Sequence, residues 1–444
     1  MGARPSTGAF TTPCSFRATL PCQTHYQGGF MNHTFNSHQG MFMACLFLLI
    51  PLLGAAGCAG QEEWGSDELV AVAAQAHRVQ SGEQLFERAT FGGNGRRCVT
   101  CHSEETGTIS PADVQARYAA NPNDPLFRPI DSDDGVGDSY TRLLNEATIR
   151  FEFPLPPNVW IYDDPAATSV TIFRGVPSVK NSPALDPLIT FDAREPDLET
   201  QAANAILAHF EPTVTPTRRQ LEKIADYERT LFSSRELRRY AHGGPEPELP
   251  RGHTRSEKRG RKHFLPNGVC GQCHSGPMLN TSSEQFPFGA FTRITGVLTG
   301  FSGEVLGTSE VRPTPNPMHR YAMACPSDGS SLLCSNPDLF FPLIAVYQPR
   351  LENGVLSMLA ADPGSALVLG TLDVLGDGKT TSLWGINETA PYFHDNSAPT
   401  LEDVIHHYKL AFEAAPILAA PILGGRATLT AQEQADMVAY LKLL

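Results

Sequence analysis

The sequence predicts a mainly α-helical protein of two similar helical domains, with long irregular loops and few short strands. Three observations predict it. The pattern Cys-x-x-Cys-His occurs twice, at Cys98-Val99-Thr100-Cys101-His102 and at Cys270-Gly271-Gln272-Cys273-His274. A short helical stretch precedes each copy, and each half of the chain closes on an amphipathic one. The stretches between them are rich in Pro, Gly and Asp, which favour turns over regular elements.

The spacing of the motif has a physical cause. On one turn of helix, residues i, i+3 and i+4 share a face, so both thiols reach the vinyl groups of one haem while the imidazole lies under its iron. With 10 Cys and 14 His in 444 residues, about 0.007 such matches are expected by chance. The alternative, one zinc shared by both Cys pairs, leaves the His of each motif unexplained. The sequence therefore predicts two covalent haems c, one on Cys98, Cys101 and His102, the other on Cys270, Cys273 and His274. Each half then carries one, as in two cytochrome c-like domains.

Attachment of this kind implies export. Residues Met41 to Gly57 (MFMACLFLLIPLLGAAG) are apolar, too short to span a bilayer comfortably, and end in small residues before Cys58. Residues 1–57 are thus read as a leader, with Met31 or Met41 as alternative starts, and Cys58 as a lipidated new N-terminus on a bacterial membrane facing the periplasm. Plain secretion ranks second and a retained anchor third, since no Lys or Arg lies between Arg17 and Arg78 to make the usual basic region. The remaining chain suits two domains at roughly 100–200 residues each. These are assigned to 58–240 and 254–444, with the Gly- and Pro-rich stretch 241–253 (AHGGPEPELPRGH) as linker.

The net charge of −13 becomes more negative by two without Arg4 and Arg17 of the leader. It disfavours nucleic acid and suits a basic partner such as a small electron-donor protein, although solubility explains it equally well. Cys325 and Cys334 bracket the turn Pro326–Gly329. In an oxidising compartment they are expected to form a disulfide.

In chain order, Ser81–Arg88 is the first expected helix, followed by the turn Gly92-Gly93-Asn94-Gly95 and the first motif. Asp131–Gly135 lacks the acid spacing and closing Glu of a calcium loop and reads as a solvated turn. Thr148–Phe153 and Ser169–Phe173 read as a pair of short strands. The helix closing the first half is expected to start near Thr215-Pro216, with Leu221, Ile224, Ala225 and Leu231 on one stripe. In the second half, Ser256–Phe264 leads into the second motif. The capping box Thr430-x-x-Glu433 opens a last helix carrying Met437, Leu441 and Leu444.

Four segments resemble the bacterial di-haem cytochrome c peroxidase and MauG superfamily, over roughly residues 80–444: Gly92–His102, Arg174–Ala202, Ser256–Pro277 and Thr389–Tyr408. The resemblance implies that the first haem is the peroxide site, with Gln201 and Glu211 on its distal side. A carboxylate is apt there because splitting a bound peroxide moves a proton from its inner to its outer oxygen. A solvated surface acid is the alternative for Glu211, and a supporting or surface role is expected of His209, with a place facing the same pocket as its alternative. No His lies between His102 and His209 and no Met between Met43 and Met278, so the first iron is expected to be five-coordinate or water-bound.

For the second haem the resemblance puts Tyr408 at the sixth-ligand position, with His406, His407, Met318, Met323 and Met358 as rivals and simple core packing as the alternative. A phenolate is a hard anion that favours higher oxidation states, unlike a thioether. Phe191 stands where the superfamily commonly has an inter-haem Trp, leaving Trp160 and Trp384 as oxidisable alternatives. For the inter-domain Ca2+ of the superfamily, Thr389 and Pro391 match the carbonyl positions, while Gly175 stands near the place of the Asn. The implied function is a peroxidase-like oxidoreductase reducing H2O2 at haem 1 with electrons passing through haem 2. The alternatives are a non-catalytic electron-transfer cytochrome and a MauG-like oxidase of a partner protein.

Overall fold

Serine or threonine caps with a Glu or Gln three residues on mark where four of the nine helices named here begin. In the computed structural model, which describes residues 80–280, 316–341, 347–414, 419–420 and 422–444, the helices are α1 (Gly82–Arg88), α2 (Pro111–Ala120), α3 (Thr141–Glu146), α4 (Leu198–His209), α5 (Arg218–Glu228), α6 (Arg235–Ala241), α7 (Arg255–Arg261), α8 (Leu401–Ala414) and α9 (Ala431–Leu441). Short strands β1 (Thr148–Pro154), β2 (Val159–Ile161), β3 (Ser169–Gly175), β4 (His319–Ala324), β5 (Arg350–Glu352) and β6 (Val355–Ala360) complete a mostly helical fold. The leader and Cys58 lie outside the described residues. Among the described residues no helix is long and apolar enough to cross a membrane.

Reciprocal capping boxes, Ser81 with Gln84 and Thr254 with Glu257, open the helices that lead to the two motifs; each satisfies otherwise orphaned amides. The closing helices open the same way, Thr217 with Gln220 and Thr430 with Glu433. The second pair is the one expected from sequence. The first starts two residues later than expected, because Thr217 and Gln220 close a full box whereas Thr215 does not. Since α5 ends at Glu228, Leu231 follows the helix instead of extending its stripe.

The repeat is visible in packing. Helix α1 crosses α5 and α7 crosses α9, each at a glycine: a Cβ on Gly82 would lie 2.0 Å from the Lys223 carbonyl oxygen, and one on Gly260 2.0 Å from that of Asp436. Only a residue without a side chain allows backbones this close. Four residues after each glycine, Phe86 packs on Tyr227 at 5.3 Å and Phe264 on Tyr440 at 5.2 Å between ring centroids. The two halves therefore share a Gly-x-x-x-Phe helix locked onto a Tyr-bearing closing helix.

Strands β1 and β3 pair antiparallel from Thr148↔Gly175 to Pro154↔Ser169, as the alternating sequence predicts. The other sheet has the order β2-β4-β6-β5, all antiparallel. Its edge strand β2 comes from the first half and its other strands from the second, so one sheet straddles both. Its buried face (Tyr321, Met323, Leu356, Met358) packs with Ile172 of β3 into a core against which Tyr408 also packs. The expected disulfide Cys325–Cys334 is formed beside this core.

One expectation is corrected. Asp131 is not solvated: it is fully buried, ion-paired with the equally buried Arg96 and accepting a hydrogen bond from the Arg150 amide at 2.6 Å. Asp133, two residues on, accepts from the Thr141 and Arg142 amides and so caps α3. The acids of this loop organise structure because their partners lie far along the chain.

Gly260→Ala and Gly82→Ala should each push two helices apart and destabilise the protein by about 1–3 kcal/mol. Urea unfolding checks this; unchanged midpoints would mean that the crossings are looser than described.

Candidate functional site

Each motif is a single turn of helix. The amides of Cys101 and His102 donate to the Cys98 carbonyl at 3.1 and 2.9 Å, and those of Cys273 and His274 to the Cys270 carbonyl at 3.1 and 2.8 Å. The turn places two thiols and one imidazole on a common face, as the spacing requires. In the second motif the turn presses on preceding backbone: a Cβ on Gly271 would lie 1.9 Å from the Leu265 carbonyl oxygen.

The two histidines share one restraint, and the Thr381 carbonyl bears on His274 in addition. His102 Nδ1 lies 2.8 Å from the Gly107 carbonyl oxygen and His274 Nδ1 3.0 Å from that of Leu279, five residues downstream in both cases. A carbonyl only accepts, so Nδ1 carries the proton and Nε2 keeps its lone pair for a metal. Burial lowers the proton affinity of both rings, which keeps them neutral. The four motif cysteines are free thiols, and burial raises their pKa values.

Both turns open into one cavity of about 950 Å³, lined by all six motif residues Cys98, Cys101, His102, Cys270, Cys273 and His274. Its wall is largely apolar with a few cations, among them Arg194 and Lys379. Flat apolar macrocycles with anionic edges fit such a lining, so the residues present suit two covalently held haems. Part of the wall comes from the irregular stretch after the first motif, through Thr106, Thr108, Ile149, Phe151 and Phe153. That stretch had no role in the sequence reading.

The expected site residues divide. Gln201, on α4, lines the cavity. Helix α4 is capped by Asp197 on the Thr200 amide at 2.7 Å and buries Leu198, Ala202 and Ile206 at four-residue intervals, which leaves Gln201 half-buried in the wall. Glu211 is exposed, has a left-handed backbone with φ 49°, and accepts a 2.9 Å hydrogen bond from Asn94 Nδ2 outside the cavity wall. His209 does line the cavity. So does Glu228, a buried acid whose carboxyl is pushed up to about 8 by desolvation; its charge would bear on Cys98. Glu228 does not stand out in the sequence; it and His209 each owe their position to the helix end they occupy.

At the second motif, Tyr408 lines the cavity close enough to Cys270 and Cys273 for their charges to act on it, and burial raises its phenol pKa. Of its rivals, Met323 and Met358 belong to the sheet core, and neither they nor Met318, His406 and His407 line the cavity. Between the motifs, the Phe191 and His394 rings are stacked at 4.4 Å and 6° between planes. Trp384 is also in the wall, its Nε1 donating to the Pro277 carbonyl at 2.8 Å, whereas Trp160 on β2 is not.

Thr389 and Pro391 line the cavity, but the space beside Gly175 is filled. A Cβ there would lie 2.2 Å from Asn396 Oδ1, and Asn396 Nδ2 donates to the Glu146 carbonyl at 2.8 Å. Among the described residues no cluster of three or more His, Cys, Asp or Glu is arranged to hold a metal ion.

Comparison with protein-family models and with curated proteins gave no match. Among solved structures the chain is similar to a MauG-like protein associated with microbial copper homeostasis, at 20% identity over 81% of this chain and 86% of that one, with a TM-score of 0.42. It is similar to hydrazine synthase of Kuenenia stuttgartiensis at 17% identity over 90% and 100% of the two chains, TM-score 0.38. A variant of the di-haem peroxidase BthA of Burkholderia thailandensis is similar at 16% identity over 81% and 84%, TM-score 0.34.

The purified chain should hold two haems that survive denaturation, and Cys98→Ser with Cys101→Ser should leave one. Mass spectrometry of the denatured protein counts them. A chain carrying no haem mass contradicts the assignment of the cavity.

Proposed function

We propose that this chain is an exported di-haem c-type oxidoreductase of peroxidase type, which reduces H2O2 at the first haem with electrons arriving by way of the second. The observation that carries the reading is the single cavity into which both Cys-x-x-Cys-His turns open, with different side chains facing each. Bound haem would supply iron for peroxide to bind and the electrons that reduce it.

The chain's own residues have distinct tasks. His102 and His274 hold the irons through Nε2, oriented by the Gly107 and Leu279 carbonyls. The Gln201 amide, in the wall beside the first motif, orients a small polar substrate by hydrogen bonding. Tyr408 would close the second site through its phenol oxygen, which as a phenolate would suit a haem that stores oxidising equivalents. The apolar wall keeps bulk water from the substrate. Glu211 can act on the same proton only if its carboxylate leaves Asn94.

The acidic chain, at −13, suits a small basic electron-donor protein. The Cys325–Cys334 disulfide fits an oxidising compartment, in keeping with periplasmic export through residues 1–57 and a lipid on Cys58. Tyr408 also favours a second reading, in which the stored oxidising equivalents act on side chains of a partner protein, as in the MauG branch.

Stopped-flow mixing of the holoprotein with H2O2 and a reduced small cytochrome should give steady oxidation of the cytochrome. Gln201→Ala should lower kcat/KM for H2O2 about 10–100-fold, and Tyr408→Phe should change the absorption of the second haem alone. No oxidation of any small donor, with both haems present, would exclude the peroxidase reading.

A further inference from the structure

His209, at the end of α4, is a cavity-lining imidazole that the reading above does not use. Its Nδ1 is fully enclosed and has no hydrogen-bond partner among the described residues. An enclosed, unpaired nitrogen costs on the order of 1–3 kcal/mol, so the ring is held there by what surrounds it.

Three restraints hold it. Its backbone carbonyl accepts from Asn94 Nδ2 at 3.0 Å and Arg96 Nη1 at 3.4 Å. The next carbonyl, of Phe210, accepts from the Asn94 amide at 2.8 Å and lies 2.0 Å from where a Cβ on Gly93 would be, so the Gly-rich turn before the first motif clamps the helix end. The ring itself stands edge-on to Phe151, with centroids 4.9 Å apart and planes at 87°. The charged groups near enough to act on it are Arg96, Asp131, Arg194 and His102. Asp131 is committed to Arg96 and Arg194 to Asp192 at 2.9 Å, so neither competes for the ring. Burial, the largest influence, brings the imidazole down to about 4, which leaves it neutral at pH 7 with a free lone pair.

We propose that His209 is the proton acceptor of the first haem site: a weak acid HX entering the cavity, H2O2 foremost, transfers its proton to the imidazole and remains hydrogen-bonded to it as X. The step is balanced, since the H–X bond breaks, an N–H bond forms, and X keeps the electron pair for the metal. It rests on the reading that the first motif carries a haem with an open face. It assigns to His209 the task that the resemblance implies for Glu211.

The test uses the ferric holoprotein with both haems counted, and sodium fluoride as the probe, which binds ferric haem without redox change. Fluoride binding at pH 7, followed optically at the first haem, should be accompanied by uptake of one proton, read with a pH indicator. His209→Ala should weaken fluoride at least about tenfold, the loss of one hydrogen bond to an anion. His209→Gln, which can donate but not take up a proton, should recover part of the affinity without the proton uptake. Uptake that persists in His209→Gln, or that Glu211→Gln abolishes instead, overturns the proposal. Tighter fluoride binding in His209→Ala overturns it too, since the ring would then be a displaced iron ligand. A wild-type protein that binds fluoride at neither haem overturns the open first site itself.

Discussion

Arg174, on β3, joins two carboxylates from opposite halves of the chain: Nη1 meets Asp192 Oδ2 at 2.6 Å, and Nε and Nη2 meet Asp362 at 2.7 and 2.9 Å. All three side chains are buried. Arg194 adds a second cation on Asp192, and His394 Nε2 lies 3.5 Å from Asp362. Buried ion pairs contribute little net stability, but losing one partner strands a charge and costs about 3–5 kcal/mol. The cluster therefore fixes geometry more than it adds stability. Next to it, the Gly175 amide donates to the His394 carbonyl at 2.7 Å and Phe191 stacks on the His394 ring, so the wall between the two motifs is set by this cluster.

Two equal frameworks meet across that wall. Each has a Gly-x-x-x-Phe helix crossed by a Tyr-bearing helix, a one-turn motif, and a histidine steered by a carbonyl five residues on. What differs is the opposite side of the cavity. The first motif faces Gln201 and His209 on α4, with the helix end latched by Asn94 and Arg96. The second faces Tyr408 on α8. The difference comes from the elements downstream of each motif, α4 after the first and α8 after the second.

Local chemistry was legible in the sequence. The motif turns, the Thr430–Glu433 box, the β1–β3 pair and the Cys325–Cys334 disulfide all depend on residues close in the chain or on strict alternation. The Gly82/Phe86 and Gly260/Phe264 spacing was also there to be read, with Tyr227 and Tyr440 as its partners. Less was legible where partners are distant. Asp131 looked solvated because Arg96, which buries it, lies 35 residues away. Strand β2 joins a sheet whose other strands lie far downstream, which no local pattern signals. Gln201 and Tyr408 line the cavity, while Glu211 lies outside its wall, because the left-handed turn after α4 sends its carboxylate to Asn94 and leaves His209 inside.

Two haems of unequal kind in one cavity, one open and one closed, should give one high-spin and one low-spin ferric signal in equal amounts in low-temperature EPR of the fully oxidised protein; two low-spin haems, or a single haem signal, would rule that arrangement out.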